Sequence, residues 1–388
     1  MNIYESDKKY IANTYARFPV NIVSGHGSLA YDENGKEYID LSTGIAVNTF
    51  GYSDNEWVKA VTEQLSMLQH ASNLYYTEPC VKLAGLLCKR TGMKKVFFCN
   101  SGAEANECAI KVARKYAALN KGKEYSTIIT LKNSFHGRTI TTLAATGQDV
   151  FHNDFLPLTE GFVYAEANNI DDLRAKVNEN KVAAIMFEVV QGEGGVLPLD
   201  NNFVVEMADI AKDNDILLIA DEVQTGNGRT GALYGYMNYG ITPDVVTTAK
   251  GLGGGLPIGA ALLGDKVQNV LGAGDHGSTF GGNPAVCAGA YSIISRIDDK
   301  LLEDVKRKSK YIFNALEGAP GIVSVSGLGL MIGAETVRPA SDIINECIEK
   351  GVLVIKAKNK LRLLPALNIP DELLAKAVDI IKECAKGN

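Results

Sequence analysis

Asp244-Val-Val-Thr-Thr-Ala-Lys250-Gly-Leu-Gly-Gly-Gly-Leu-Pro-Ile-Gly259 sets one lysine between a β-branched apolar run and a glycine-rich loop. A lysine there is lifted off a buried strand into a crevice with little side-chain bulk around it. Such a setting desolvates the ammonium and lowers its pKa, as a Schiff-base lysine requires. Taken alone, the stretch reads more readily as a surface lysine at a strand end. The rest of the chain decides.

Working outward, apolar strands are expected at Lys95–Cys99, Thr127–Leu131, Val182–Phe187, Ile216–Ala220, Val245–Thr248 and Ala260–Leu263. Helical periodicity separates several of them, as at Ala103–Leu119, Ile170–Asn178 and Phe203–Asp213. Alternation of near-continuous apolar strands with helices implies an α/β fold, its mostly parallel sheet covered on both faces. Ligands on such sheets bind beyond the C-terminal strand ends. Upstream, His26–Asp40 reads as a hairpin turning at Asn34-Gly35, followed by helices over Asn55–His70 and Glu78–Arg90. From about Ala290 a charged helix (Ile297–Leu316) and short strands replace the alternation. This organisation predicts a large domain over residues 46–289. A smaller α+β domain follows over 290–388, with residues 1–45 packed alongside it.

Composition narrows the classes. A chain of 388 residues with 46% hydrophobic content can bury one large core or two moderate ones. A net charge of −6 argues against nucleic acid or an anionic membrane as the main partner. Seven scattered cysteines with no Cys-x-x-Cys read as reduced thiols in a cytoplasmic protein. No signal peptide, membrane span or metal site is expected.

The strand ends carry the chemistry. After Cys99, Asn100-Ser-Gly-Ala-Glu104 opens a helix with capping-box spacing, and Gly102 and Ala103 leave amides free for an anion. After Leu131, Phe135, His136 and Arg138 offer a stacking ring and a carboxylate fork. After Phe187 comes Glu188-Val-Val-Gln-Gly-Glu193-Gly-Gly195, where the glycines leave the Glu193 carboxylate projecting. After Ala220, Asp221 is expensive to bury unless it meets a cation, such as a pyridinium N–H or a buried arginine. His276–Pro284 is a polar glycine-rich loop holding Ser278 and Thr279, and Arg362 sits in an apolar strand. Gly226-Asn-Gly-Arg-Thr-Gly231 fits G-x-G-x-x-G, but no amphipathic helix follows and it is not the first βα turn, so it fails as a dinucleotide fingerprint. An NAD-dependent oxidoreductase would rest on that pattern alone.

In this order the motifs resemble those of the class III (ornithine-type) aminotransferases that use pyridoxal phosphate. The likeness runs from Thr14-Tyr-Ala-Arg-Phe-Pro19 to Leu361-Arg-Leu-Leu-Pro365. Most specific are Ser101-Gly-Ala-Glu-Ala-Asn106, Phe135-His-Gly-Arg138, Gln191-Gly-Glu-Gly-Gly195, Asp221-Glu-Val-Gln-Thr-Gly226, Thr248-Ala-Lys250 and Ser278-Thr-Phe-Gly-Gly-Asn-Pro284.

The resemblance implies the type I fold of that enzyme class, with a seven-stranded sheet in the large domain. It implies that Lys250 holds the cofactor as a Schiff base and shuttles a proton. Asp221 would keep the pyridinium protonated, with Glu222 beside it. Val223 and Phe135 would flank the ring with His136 adjacent, Gln224 would reach the phenolic oxygen, and Gly102 and Ala103 would take the phosphate. Thr279 would complete that site from the other subunit of a homodimer with shared active sites, with Ser278 next to the substrate. Arg138 would bind the substrate α-carboxylate and Arg362 a carboxylate of 2-oxoglutarate, with Glu193 pairing Arg362 while the amino donor is bound. The finer match lies in Asn13-Thr-Tyr-Ala-Arg17, Gly44-Ile-Ala-Val-Asn48 and Gly226–Gly231. It implies transfer of the δ-amino group of N2-acetylornithine to 2-oxoglutarate, a step of arginine biosynthesis. Gly44 favours an acylated donor, because ornithine-specific members of the class place a larger side chain there. Succinylornithine, succinyl-diaminopimelate, ornithine and 4-aminobutyrate are the alternative donors within the class.

Overall fold

The computed structural model describes residues 2–387. Seven strands form its main sheet: β1 (Lys95–Cys99), β2 (Thr127–Leu131), β3 (Phe162–Ala165), β4 (Val182–Phe187), β5 (Leu217–Asp221), β6 (Val245–Thr248) and β7 (Gly259–Leu263). Their order is β1-β7-β6-β5-β4-β2-β3, and only β7 runs against its neighbours. Strands β4 to β7 are buried along their whole length, which is why they read as unbroken apolar runs. The sequence missed β3, a four-residue edge strand with three half-buried residues. Such a piece carries neither alternation nor a continuous apolar run.

Because β1, β2, β4, β5 and β6 point the same way, their C-terminal ends meet along one edge. Helix Gly102–Asn120 leaves β1 there and packs Cys108, Ala109, Val112 and Ala113 against one face of the sheet. The opposite face joins a larger core with Phe187, Val204, Met207 and Leu262.

A second core binds the chain's two ends together. Ala30, Tyr38, Ile39 and Leu41 pack with Val305, Ile312, Ile343 and Ile381. Strands Leu29–Asp32 and Glu37–Asp40 form the expected hairpin, and Val352–Leu353 adds to it in parallel. The apolar run over residues 352–355 therefore divides between two sheets. Its first half joins this sheet, while Ile355–Ala357 pairs with Lys360–Leu363 in a separate four-stranded sheet. Helix Pro284–Arg296 spans the 289/290 boundary read from the sequence. It buries Cys287, Ala290, Ile293 and Ile294 in the large core, so the change between cores follows Ile297. No helix among the described residues is long and apolar enough to cross a membrane.

Candidate active site

A cavity of about 460 Å³ opens at the shared strand edge. Its walls include Ser101, Gly102, Ala103, Phe135, His136, Arg138, Glu188, Asp221, Val223, Gln224 and Lys250. Five separate strand ends thus meet in one hollow, as expected for a parallel sheet.

Lys250 follows β6 with φ of +45°, a left-handed conformation that a lysine adopts only when its surroundings impose it. Burial drives its ammonium below the ordinary lysine range. The Arg362 charge works the same way, against Glu193, Asp221 and Glu188. The lysine is therefore poised to lose a proton at modest cost.

Asp221, at the end of β5, is 4% exposed. Its Oδ2 accepts from Asn106 Nδ2 at 2.8 Å and lies 2.7 Å from His136 Nδ1, while Oδ1 accepts from the Val223 amide at 3.0 Å. Asn106 also donates to the His136 carbonyl at 2.7 Å, locking the group together. No arginine or lysine pairs with Asp221 among the described residues, so the arginine partner considered from the sequence is absent. The carboxylate keeps its capacity to stabilise a cation arriving from the cavity.

Ser101 caps helix Gly102–Asn120 by accepting from the Glu104 amide at 3.2 Å. The box is displaced by one residue, because Glu104 reaches the Asn100 amide at 2.5 Å. The first amides of the helix, at Gly102 and Ala103, have no carbonyl a turn earlier and border the cavity. Gly102 must be glycine, since a Cβ would stand 2.7 Å from Val223 Cγ1.

Arg138 is exposed at the rim, its guanidinium 5.5 Å from the Phe135 ring and 4.7 Å from that of Phe151. At the other end, Arg362 Nη1 donates to Glu193 Oε1 at 2.5 Å and to Gln224 Oε1 at 3.2 Å. Burial would raise the Glu193 carboxyl. The charge and hydrogen bond of Arg362 outweigh it, aided by Lys250 and Gln224, and hold it below the usual range. Glu193 and Arg362 stand behind Gln224 rather than on the cavity wall.

One expectation needs correction. Glu222 does not reach the cavity. Its buried carboxylate accepts from Thr225 Oγ1, Gly235 N and Tyr236 N, each at 2.7 Å, and pins the following turn. Gln224 lines the cavity but spends its carbonyl on Arg362. Ser278 and Thr279 line a different recess with Asn100, Glu107 and His276, so one chain alone does not bring them to Lys250.

Two residues were given no role from the sequence. Asn106 is a polar side chain on the buried face of a helix. Glu188 follows six buried apolar residues, the same signal that marked Asp221. Its carboxylate accepts from the Phe135 amide at 2.8 Å. Burial, with the neighbouring Asp221 charge, pushes it well above the usual carboxylate range.

The donor set fits pyridoxal phosphate. A buried carboxylate braced by Asn106 and His136 suits a pyridinium N–H, free helix amides suit a phosphate, and a low-pKa lysine suits an aldehyde. His136 Nε2 is buried without a hydrogen-bond partner among the described residues, so the polar wall is incomplete without a guest.

Comparisons with known proteins agree with this geometry. The chain is 49% identical over 383 residues to the acetylornithine aminotransferase of Haemophilus ducreyi, covering 98% of each chain. It is 43% identical to that of Clostridium acetobutylicum over 98% of this chain and all of the relative. Among solved structures, the ornithine aminotransferase of Toxoplasma gondii superposes with a TM-score of 0.95 at 30% identity, covering 98% of this chain and 94% of that one. Crystals of the Toxoplasma enzyme grown with oxidised glutathione hold pyridoxal phosphate at partial occupancy in the active site. The N-acetylornithine aminotransferase of Stenotrophomonas maltophilia follows with 0.86 at 34% identity, covering 98% of both. These matches exclude the oxidoreductase reading, and Gly226–Gly231 is a run of turns followed by a short 3-10 helix, Gly235–Tyr239, rather than an α-helix. The class-III aminotransferase profile matches residues 10–385, and the chain belongs to that family of pyridoxal-phosphate enzymes.

Proposed function

We propose that this enzyme transfers the δ-amino group of N2-acetyl-L-ornithine to 2-oxoglutarate, giving N-acetylglutamate 5-semialdehyde and glutamate, within arginine biosynthesis. The single observation that carries the two-substrate reading is the Arg362–Glu193 pair, a buried cation neutralised by a removable anion. The donor assignment draws on relatives named for acetylornithine over nearly the whole chain, and on Gly44. The backbone there has φ of +63°, and a Cβ would find no atom closer than 3.8 Å, so the space beside it stays open.

Bound in the cavity, the cofactor would supply an aldehyde for the amino group and a ring able to hold an electron pair. The chain's own residues do the rest. Lys250 removes the proton from the donor carbon and returns it at the neighbouring position, which its lowered pKa favours. Asp221 holds a proton on the ring nitrogen by charge, and Asn106 and His136 keep that carboxylate aimed. Gly102 and Ala103 fix the phosphate through their amides. Arg138 takes the α-carboxylate of the acetylated donor at the rim. With the donor bound, Glu193 silences Arg362. With 2-oxoglutarate, Glu193 moves aside and Arg362 takes a carboxylate of the acceptor as a fork.

The working unit in this reading is a cytoplasmic homodimer. Thr279 and Ser278 stand outside their own cavity, on a loop whose Phe280 packs against His70 at 5.5 Å. Asn73 ties that loop to exposed Leu74, Tyr75 and Tyr76, an apolar surface that a second copy would cover. Steady-state kinetics with acetylornithine, ornithine, succinylornithine and 4-aminobutyrate test the assignment. Acetylornithine is expected to show the highest kcat/KM with 2-oxoglutarate as acceptor. A lower value than for ornithine or 4-aminobutyrate overturns it.

A further inference from the structure

Gly226-Asn-Gly-Arg-Thr-Gly231 takes no part in the cavity wall, yet Asn227 and Arg229 are among the deepest polar side chains of the chain. Asn227 Nδ2 donates to Thr248 Oγ1 at 3.1 Å and to the Ala249 carbonyl at 3.2 Å, the two residues before Lys250. Arg229 Nη1 donates to the Leu330 carbonyl at 3.2 Å and the Pro365 carbonyl at 2.5 Å. The Leu330 amide returns to the Arg229 carbonyl at 2.8 Å.

Leu330 leads into strand Met331–Thr336 and Pro365 leaves strand Lys360–Leu363. Gly333 and Arg362 face each other in that antiparallel pair. One guanidinium nitrogen therefore grips both strands that hold Arg362, while Asn227, two residues earlier, grips the turn that holds Lys250. The approach is close enough to require Gly329, whose φ is +59° and whose Cβ would stand 2.4 Å from the Arg229 carbonyl. Burial pushes the guanidinium down to about 9, and both hydrogen bonds go to carbonyls rather than to a carboxylate. That is a costly way merely to join two segments.

We propose that Arg229 is a positioning residue for the acceptor: it fixes the Arg362 strand against the Lys250 turn, so that a dicarboxylate held by Arg362 brings its keto carbon to the Lys250 amine. The proposal rests on the two-substrate reading above. Acetylornithine does not use Arg362, so its half-reaction should be spared. A purely structural role would impair both halves alike.

The test uses the wild-type holoenzyme with Arg229→Lys, Arg229→Gln and Arg362→Ala, each checked by thermal unfolding. Two quantities are read. One is the dissociation constant of glutarate, a non-reacting five-carbon dicarboxylate. The other is the single-turnover rate with acetylornithine. Glutarate affinity is expected to fall about tenfold or more in Arg229→Gln and less in Arg229→Lys, which keeps the charge, with the donor rate within about twofold of wild type. Arg229→Lys keeps the test open if Arg229→Gln does not fold. Unchanged glutarate affinity in the folded variants, or an equal loss in both readouts, overturns the positioning role while the function stands. Failure of the wild type to bind glutarate, or binding that survives Arg362→Ala, defeats the acceptor reading and this inference with it.

Discussion

Two carboxylates mark opposite ends of the site, Asp221 buried on the cavity wall and Glu193 half-buried behind Gln224, and the two are braced differently. Asp221 ends a fully buried strand and meets a side-chain amide, an imidazole and a backbone amide. Glu193 sits on a glycine-flanked loop and meets the full charge of Arg362, which comes from the other core. The first arrangement leaves a negative charge available in one fixed place. The second cancels two charges in a pair that a competing carboxylate can open. Rigid support marks the end that does the same task in every turnover, and cross-core pairing marks the end that must change partners.

The largest effect should come where neither end can compensate. Lys250→Ala removes the only lysine that lines the cavity among the described residues. Turnover is expected to fall on the order of 10⁴-fold or more, with pyridoxal phosphate still bound weakly, since Asp221 and the helix amides remain. Rate and cofactor absorbance measured on one preparation check it, and near-normal turnover would refute the lysine's role.

The fixed end is probed by Asp221→Asn, which keeps the shape and removes the charge. The new amide would also oppose Asn106 Nδ2 where the carboxylate accepts. Both half-reactions should slow by about 10²-fold or more, because each uses the ring nitrogen. Slowing of only one would break the claim that this end serves both substrates equally.

Glu193→Gln probes the switchable end and should act unevenly. Arg362 would stay uncancelled while the donor is bound, so kcat/KM for acetylornithine should drop about tenfold, with a smaller change for glutamate in the reverse half-reaction. Loss of the Glu193 charge also removes a contribution that raises the Lys250 pKa. The pH–rate limb belonging to that lysine should therefore move to lower pH. Equal losses for both substrates would show that Glu193 is not a switch.

The same contrast explains what could be read from the sequence. Sites built where an apolar strand ends were legible, because a polar residue after a buried run needs a reason. Asp221 stands out in this way, and Lys250 does so once the other strand ends are read with it. Glu188 gives the same signal after Val182–Phe187, but Glu193 nearby is the more conspicuous acid. Contacts between distant segments left no local trace. Nothing near Gln224 says that its carbonyl meets an arginine 138 residues later. Strand β3 is invisible because a four-residue edge strand with three half-buried residues has no pattern of its own. Glu222 departs from its expected place because successive residues of extended chain point to opposite sides. Once Asp221 faces the cavity, Glu222 must face the turn.

That alternation gives the smallest prediction. Burial lifts the Glu222 carboxyl to about 7 from its ordinary 4.5, against the hydrogen bonds from Thr225, Gly235 and Tyr236 and with help from the Asp221 charge. Between those two values the folded chain keeps a proton that the unfolded chain has released. Stability due to this group is therefore full below the lower value and is lost as pH rises through the window, with no further change above it. Glu222→Gln cannot titrate, so the wild type's advantage over it should shrink between pH 5 and pH 8, by on the order of 2 kcal/mol. Urea unfolding of both proteins at the two pH values measures the change, and taking the difference between them cancels every other titrating group. An advantage that grows with pH would mean that the three donors outweigh burial. The carboxylate would then be ionised throughout, and the turn behind Asp221 would be held by charge rather than by a shared proton.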